Sequence, residues 1–431
     1  MSLRIVVGGF FMSSQSEDDT VVDHPEKRRW SDVYRPDAKV KAFLSVLLFS
    51  SLAYGFYRGV QDNYLAEIVH ITEFERGVVE FFRELPGLLL IFILAAMYRF
   101  AESKIFRIGT AVMLAGCLGL LLGGTGKVAV IAFMVLYSAG EHIVMPVKST
   151  ISLEAAKPGK GGVSLGITSG IGHIGNIVGF LVVSLLFMLF SRFNIERGAA
   201  SFKIIFAIAA ALMLAAVLIS FAVKETSVTV VRRSRFYFNR KFNKYYMLEV
   251  FYGARKQIFL TFAPYVLILQ YGADTAVISF LLAICAAFGI FFSPMIGKLI
   301  DRLGYKVIMI TDTLLLMVVC FFYGFAHRLF PPHIAYIVVC TNYVLDSIIS
   351  LASMASNIYV QDIASTQEEM TATITTGISV NHLISILIAL FGGWIWQKTG
   401  IEVLFTMSGL LGLCNTLFAC TIKNPKKALK T

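Results

Sequence analysis

The sequence predicts an all-α integral membrane protein with twelve transmembrane helices. Three observations carry this. Of 431 residues, 57% are hydrophobic and 15% charged, with a mean hydropathy of +0.74, whereas a soluble domain carries roughly 25% charged residues. The apolar residues are gathered into long runs, and a helix crossing ~30 Å of hydrocarbon needs about 20 of them, because its backbone polar groups must be satisfied within the segment. The runs of Leu, Ile, Phe, Ala and Gly lack the short alternating pattern of a membrane barrel.

In chain order the runs are 42–66, 78–98, 106–124, 128–149, 162–190, 203–223, 246–271, 274–296, 307–326, 334–358, 370–396 and 401–421. They divide the chain into a tail (1–41), a six-helix bundle (42–223), a basic linker (224–245), a second six-helix bundle (246–421) and a C-terminal tail (422–431). The apolar patch from Met1 to Met12 is too short for a span and lacks a small-residue cleavage site, so no cleaved signal peptide is expected and Met12 is an alternative start. Orientation follows from Lys and Arg in the connecting loops. Counted from residue 27 onward, the side holding both tails and the linker carries 26 of them and the other side 7, which puts both termini in the cytoplasm and the protein in the cell membrane. One loop resists: Gln361 to Glu369 lies on the basic side with no Lys or Arg. Acidic residues weigh little in this rule, so the twelve-span reading stands.

The formal charge of +11 does not point to nucleic acid, because the basic residues sit in short clusters between apolar runs. In the linker, Arg232, Arg233, Arg235, Arg240, Lys241 and Lys244 interleave with Phe236, Tyr237, Phe238 and Phe242. Beside a membrane that composition lies along anionic headgroups. The six cysteines, Cys117, Cys285, Cys320, Cys340, Cys414 and Cys420, fall inside apolar runs without C-x-x-C spacing, so neither a disulfide framework nor a zinc site is indicated. No P-loop occurs to power primary transport. No nucleophile-and-base spacing suggests an enzyme, and no cofactor is expected.

The two halves read as repeats. Ile167-Thr168-Ser169-Gly170-Ile171 opens the fifth run, and Ile374-Thr375-Thr376-Gly377-Ile378 opens the eleventh, its counterpart in a six-plus-six scheme. After the eighth run comes Gly297-Lys298-Leu299-Ile300-Asp301-Arg302-Leu303-Gly304-Tyr305-Lys306; after the second, Glu102 to Arg107 keeps an acid and a base at matching spacing. The pattern at Gly297, Asp301, Arg302, Gly304 and Lys306 resembles the loop signature of the major facilitator superfamily, and the resemblance spans about residues 40 to 425. It implies a secondary transporter with a central cavity between two bundles. It also implies that the acid and base of that loop latch neighbouring helices when the cavity opens outward. The glycine-rich fifth run, with Gly162, Gly166, Gly170, Gly172, Gly175 and Gly179, is similar to the family's fifth helix but lacks the proline of its antiporter motif. Small residues at such spacing let helices pack closely.

Charges at membrane depth cost at least ~2.5 to 3.5 kcal/mol each, so they face a protein interior or an aqueous cavity. Counted from the start of each run, Arg255, Lys256, His173, His382, Asp346, Glu141 and His142 lie about 14 to 20 Å in, near mid-membrane. The resemblance implies that their helices line a shared cavity. Nearer the outside, Arg58 and Asp62 share a helical face, as do Glu80 and Glu84, with Arg83 one turn from Glu80. Two readings stay open for this layer: a structural ion-pair network, or a carboxylate (Asp62 or Glu84) that exchanges a proton as Arg58 or Arg83 engages and releases it.

Arg255 is the better candidate for an anionic substrate group, since a guanidinium offers bidentate hydrogen bonds and stays charged when dehydrated. Its alternative is an ion pair with Asp346 or Glu141. Lys256 is spaced to pair with Glu249. For His173 and His382 the choice is between packing and proton relay. No His/Cys/Asp spacing supports a metal site. Arg58 and Arg255 are similar to the arginine pair of the superfamily's organophosphate antiporters; a first-helix arginine after an aromatic also resembles lipid-linked sugar exporters. The expectation is a monomeric, proton-coupled, alternating-access transporter of a small organic anion or anionic amphiphile. The alternatives are a proton-driven exporter of apolar or cationic compounds, and a membrane sensor that keeps the fold but moves nothing.

Overall fold

The computed structural model describes residues 30–36, 39–97, 99–196, 198–223 and 237–422. Residues 1–29 with Met12, the linker residues Arg232, Arg233, Arg235 and Phe236, and the last nine residues lie outside the described residues.

Twelve helical rods follow one another among the described residues. The first six are α1 (Val40–Asn63, continued by a π-helical turn Tyr64–Ile68), α2 (Glu73–Leu88, resumed as Leu90–Ala96), α3 (Glu102–Leu122), α4 (Lys127–Ala155), α5 (Gly161–Arg192) and α6 (Ala199–Ser220). The second six are α7 (Asn243–Tyr271), α8 (Thr275–Leu303), α9 (Tyr305–Leu329), α10 (Pro332–Ile349, extended through Ser350–Ser353 to Met354–Ile363), α11 (Gln367–Thr399) and α12 (Ile401–Cys420). Each predicted run coincides with a rod. The second begins five residues before its predicted start, because Thr72 and Glu75 form a reciprocal capping box that satisfies free amides ahead of the apolar stretch.

Ten of the rods are long and apolar enough to cross a membrane; α2 and α7 fall short. α2 is broken at Leu89 into stretches of 16 and 7 residues, and both rods are heavily charged. Glu73, Glu75, Arg76, Glu80, Arg83 and Glu84 crowd the first three turns of α2, and α7 carries Lys244, Glu249, Arg255 and Lys256.

Burial divides the apolar interior unevenly. One large core draws on both halves, joining Val60, Leu65 and Phe206 to Phe262, Leu267 and Tyr323. At the end of the molecule where α1 and α7 begin there are instead two separate cores. One packs Phe43, Phe106, Ile151 and Ala216 within the first half, and the other packs Phe242, Tyr305, Tyr359 and Ala419 within the second. The halves are therefore fused at one end and parted at the other. Hydrogen bonds between them agree: Ser279 Oγ donates to the Gly59 carbonyl (2.7 Å), Asn63 Nδ2 to Ala273 (3.0 Å), Tyr265 Oη to Ile71 (2.7 Å) and Ser184 Oγ to Ala276 (2.8 Å). All four lie where α1 and α7 end and α8 begins.

The repeat read in the sequence reappears as matched contacts. Arg107 donates to the Ser220 carbonyl at the end of α6 (3.5 Å), and Lys306 donates to the Cys420 carbonyl at the end of α12 (2.7 Å). A base at equal spacing thus caps the last helix of each half, where the exposed carbonyls favour a cation.

The glycines of α5 split into two groups. A Cβ on Gly179 would meet the backbone of Gly55 at 2.8 Å, and one on Gly175 the side chain of Ser51 at 2.7 Å, so this part of α5 lies directly against α1. Gly162, Gly166 and Gly170 have open space where a Cβ would stand, as do Gly289 and Gly297 on α8. Close packing therefore holds for the fused end of α5 and not for the whole helix. Before α1, Val33 and Arg35 exchange backbone hydrogen bonds with Lys157 and Ala155, which pins the chain's first described segment to the end of α4.

Candidate functional site

The functional groups gather where the two halves meet, and most of the charge comes from one element. α2 turns Arg76, Glu80, Arg83 and Glu84 toward α1, α7 and α11. A continuous ladder results. Arg58 bonds Asp62 (2.6 Å), and Arg76 joins Asp62 (3.1 Å) to Glu80 (3.0 Å). Arg83 then bonds Glu80 (2.6 Å) and also Glu84, whose other oxygen lies 2.9 Å from His382 Nδ1. Three guanidinium groups alternate with three carboxylates, so the ladder is neutral before the histidine is counted. Arg76 is as buried as the two carboxylates it joins, each side chain being 1% exposed, and its guanidinium sits 5.8 Å from the Tyr265 ring centre. Gln257 on α7 reaches across from the other half to Glu80 (3.1 Å).

Two of the predicted pairs appear as read, Arg58 with Asp62 and Arg83 with Glu80. Arg76 was missed, although its spacing to Glu80 matches that of Arg58 to Asp62. Backbone proximity brings the seam together. A Cβ on Gly77 would sit 2.2 Å from the Ala389 carbonyl, so α2 and α11 run in direct contact.

Two cavities lie near the ladder, one of them lined by its Arg83 and Glu84. A central one of about 480 Å³ lies between the halves, walled by Glu84, Glu141, His142, Glu249, Lys256 and His382 among others. The second, about 520 Å³, lies within the first half and exposes Glu141, Lys148, Thr168, His173 and Asn176. Tyr54, Glu141 and Met145 line both, so the two adjoin. The combined walls carry cations at Arg83, Lys148 and Lys256 and carboxylates at Glu84, Glu141 and Glu249. Such a surface suits a polar solute that presents both an acidic group and a donor. Glu141 makes no hydrogen bond or ion pair among the described residues.

The seven mid-depth groups do not share one hollow, which corrects the expectation. Arg255 is buried, and its guanidinium bonds Asp312 on α9 (2.9 Å) rather than Asp346 or Glu141. That pair faces a recess of only about 20 Å³ beside Asn415, which shares Tyr252, Ser353 and Ser356 with the wall of the central cavity. Asp346 lies on none of these three walls. Lys256 does face the central cavity, but Glu249 accepts from Ser356 (2.9 Å) and Asn381 (3.2 Å) instead of pairing with it. Sequence spacing had no means of finding Asp312, because its partner lies 57 positions away on a non-adjacent helix.

In the α8 loop, Gly304 adopts φ +84°, a conformation that glycine reaches without strain. Asp301 and Arg302 are exposed and form no ion pair among the described residues, so these two latch nothing here. Although no spacing in the sequence suggests ligands, the fold brings one donor atom each of Glu84, His142 and His382 within 4.8 Å of one another.

Comparison with known proteins fixes the family. The sequence profile of the Major Facilitator Superfamily matches residues 43–380 and 245–431, and the chain belongs to that family. No curated protein sequence matches it. Among solved structures, the fold is similar to a point mutant of the nucleoside transporter NupG, with a TM-score of 0.71 at 16% identity over 90% of this chain and 100% of that one. It is also similar to the peptide transporter POT in complex with sulfate (0.68, 14%, 89% and 94%) and to a D-xylose–proton symporter (0.65, 15%, 89% and 96%). The protein is a multi-pass membrane protein of the transporter class.

Proposed function

We propose that this chain is a proton-coupled secondary transporter of the cell membrane that moves a small organic anion, or a zwitterion bearing an acidic group, by alternating access. All twelve rods cross the bilayer in this reading, with both tails in the cytoplasm. The parted end, with its open glycines on α5 and α8, then faces the cytoplasm, so the conformation is inward-open. The free Asp301 and Arg302 are consistent with that state. Lys256 and Lys148 receive the acidic group, and Glu141 and Glu249 receive a donor on the substrate. Arg58 and Arg255 act through the carboxylates they hold.

One observation carries the coupling: the ladder's six ions belong to the first half, and the ionisable group of the second half that meets them is His382, at Glu84. When the halves part there, Glu84 loses the imidazole and keeps only Arg83, which it shares with Glu80. A carboxylate that changes partners with conformation exchanges its proton with the cavity. Asp62, held by both Arg58 and Arg76, is the poorer candidate.

Proteoliposomes with an imposed pH gradient test this. Substrate accumulation should follow the gradient and collapse in Glu84→Gln, while exchange of substrate without a gradient persists. Accumulation that ignores the pH gradient, or a Glu84→Gln variant that still concentrates substrate, refutes the coupling. Binding confined to organic cations would favour the exporter reading, for which the unpartnered Glu141 supplies the charge.

A further inference from the structure

We infer that Glu84, His142 and His382 form a binding site for a divalent transition metal of the Zn²⁺ type, at the junction of the two halves. Binding of the ion does not depend on the transport reading; only its consequence for motion does.

The geometry comes from three helices. Glu84 on α2 and His142 on α4 belong to the first half, and His382 on α11 to the second. Their donor atoms lie within 4.8 Å of one another. One edge of the site is already short, with His382 Nδ1 2.9 Å from Glu84 Oε2. Zinc ligands at 2.0–2.1 Å from the ion stand about 3.3 Å apart on a tetrahedron, so the remaining edges need to close by at most about 1.5 Å.

The tautomer of His142 supports ligation. Its Nδ1 lies 2.8 Å from the Ser138 carbonyl oxygen, which can only accept, so Nδ1 carries the proton and Nε2 of the neutral ring has a free lone pair. That Nε2 points into the cluster. A Cβ on Gly87 would lie 2.6 Å from it and 3.2 Å from His382 Cε1, so both imidazoles converge over a position that only glycine leaves vacant. An imidazole oriented by a backbone carbonyl on its other nitrogen is the usual support of a metal ligand.

Two imidazoles and a carboxylate suit zinc and its neighbours rather than calcium or magnesium, which take oxygen ligands. The central cavity gives the ion a way in and room for water as a fourth ligand. His382 ligates through Nδ1 once the proton there moves to Nε2, so a neutral ring releases none. Arg83 remains on the other oxygen of Glu84, and its repulsion of the cation is offset by Glu80, which it also binds, and by Glu141 on the same wall. The ion would tie the halves together in the conformation seen here, and so would inhibit alternation between states.

The test uses the purified full chain in detergent, without a polyhistidine tag and stripped of metal. Zn²⁺ is titrated calorimetrically, and Co²⁺ is followed by its visible absorption. Saturable binding of a single Zn²⁺ per chain is expected, weakened at least ~10-fold in His142→Ala and in His382→Ala. Gly87→Ala keeps every ligand but displaces the rings and should weaken binding as well. His327→Ala, which alters a histidine beside Glu402 at the other end of the molecule, should leave binding unchanged. Elution as a monodisperse peak shows that each variant is folded. If the folded wild type takes up no Zn²⁺, or binds it equally in both histidine variants, the site does not exist. Failure of proton-driven transport in the absence of metal would leave this result untouched.

Discussion

Arg76 is the centre of the ion ladder, and replacing it with methionine isolates what the ladder contributes. The change removes two bonds, at 3.1 Å to Asp62 and 3.0 Å to Glu80, from a position that is 1% exposed. At an effective dielectric of 20, each such contact is worth about 4 kcal/mol gross. Most of that is offset by no longer having to desolvate the guanidinium. What remains is a buried network of two bases and three acids, with one uncompensated negative charge, and breaking a buried pair in this way costs about 3–5 kcal/mol. Arg76→Met combined with Glu80→Gln leaves two neutral pairs, Arg58 with Asp62 and Arg83 with Glu84. The double variant should therefore recover about 1–3 kcal/mol relative to the sum of the two single changes. Reversible unfolding in mixed micelles, run on the wild type, both single variants and the double, measures the coupling. A cost below about 1 kcal/mol for Arg76→Met, or a double variant no better than the sum, would mean that the ladder is not a closed charge network.

Three further outcomes follow from the packing. Asp312→Asn strands the Arg255 guanidinium without its carboxylate and should destabilise the second half by about 3–5 kcal/mol in the same unfolding assay, with little recovery on adding substrate. Gly179→Ala drives a methyl against the Gly55 backbone and should cost about 1–3 kcal/mol, while Gly166→Ala, with open space at its Cβ, should be neutral within about 0.5 kcal/mol. In a background without native cysteines, Gly166→Cys and Gly297→Cys should both react with a membrane-impermeant maleimide in inside-out vesicles, and resistance of both would overturn the inward-open assignment.

How much of this was legible in the sequence depends on how far apart the partners lie. Helices declare themselves through runs of apolar residues, so all twelve rods were readable, including α2 and α7, whose charges depress their hydropathy. Pairs within one helix were equally plain, since Arg58 and Asp62, or Glu80 and Arg83, stand a turn apart. Contacts between helices were not. Asp62 with Arg76, Arg255 with Asp312, Glu80 with Gln257 and Glu84 with His382 are 14, 57, 177 and 298 positions apart. Depth, joined to the family resemblance, suggested that Arg255 and Asp346 share the cavity of Glu141. Depth fixes height along a helix and says nothing of the direction a side chain takes around it, and Arg255 turns away toward α9. The glycines of α5 misled in the same way, since a repeated small residue reads alike whether its face meets α1 or open space.

The ladder's membership sets how easily the molecule can change shape. Arg58, Asp62, Arg76, Glu80, Arg83 and Glu84 all ride on α1 and α2, so in the alternating-access mechanism proposed above a swing of one bundle past the other would carry the whole string along intact. Only the imidazole of His382 and the amide of Gln257 let go of it. Six ions would thus act as a stiff spine that such a motion never dismantles, and its barrier would be set by the neutral hydrogen bonds and apolar surface shared by the halves rather than by the rupture of salt bridges.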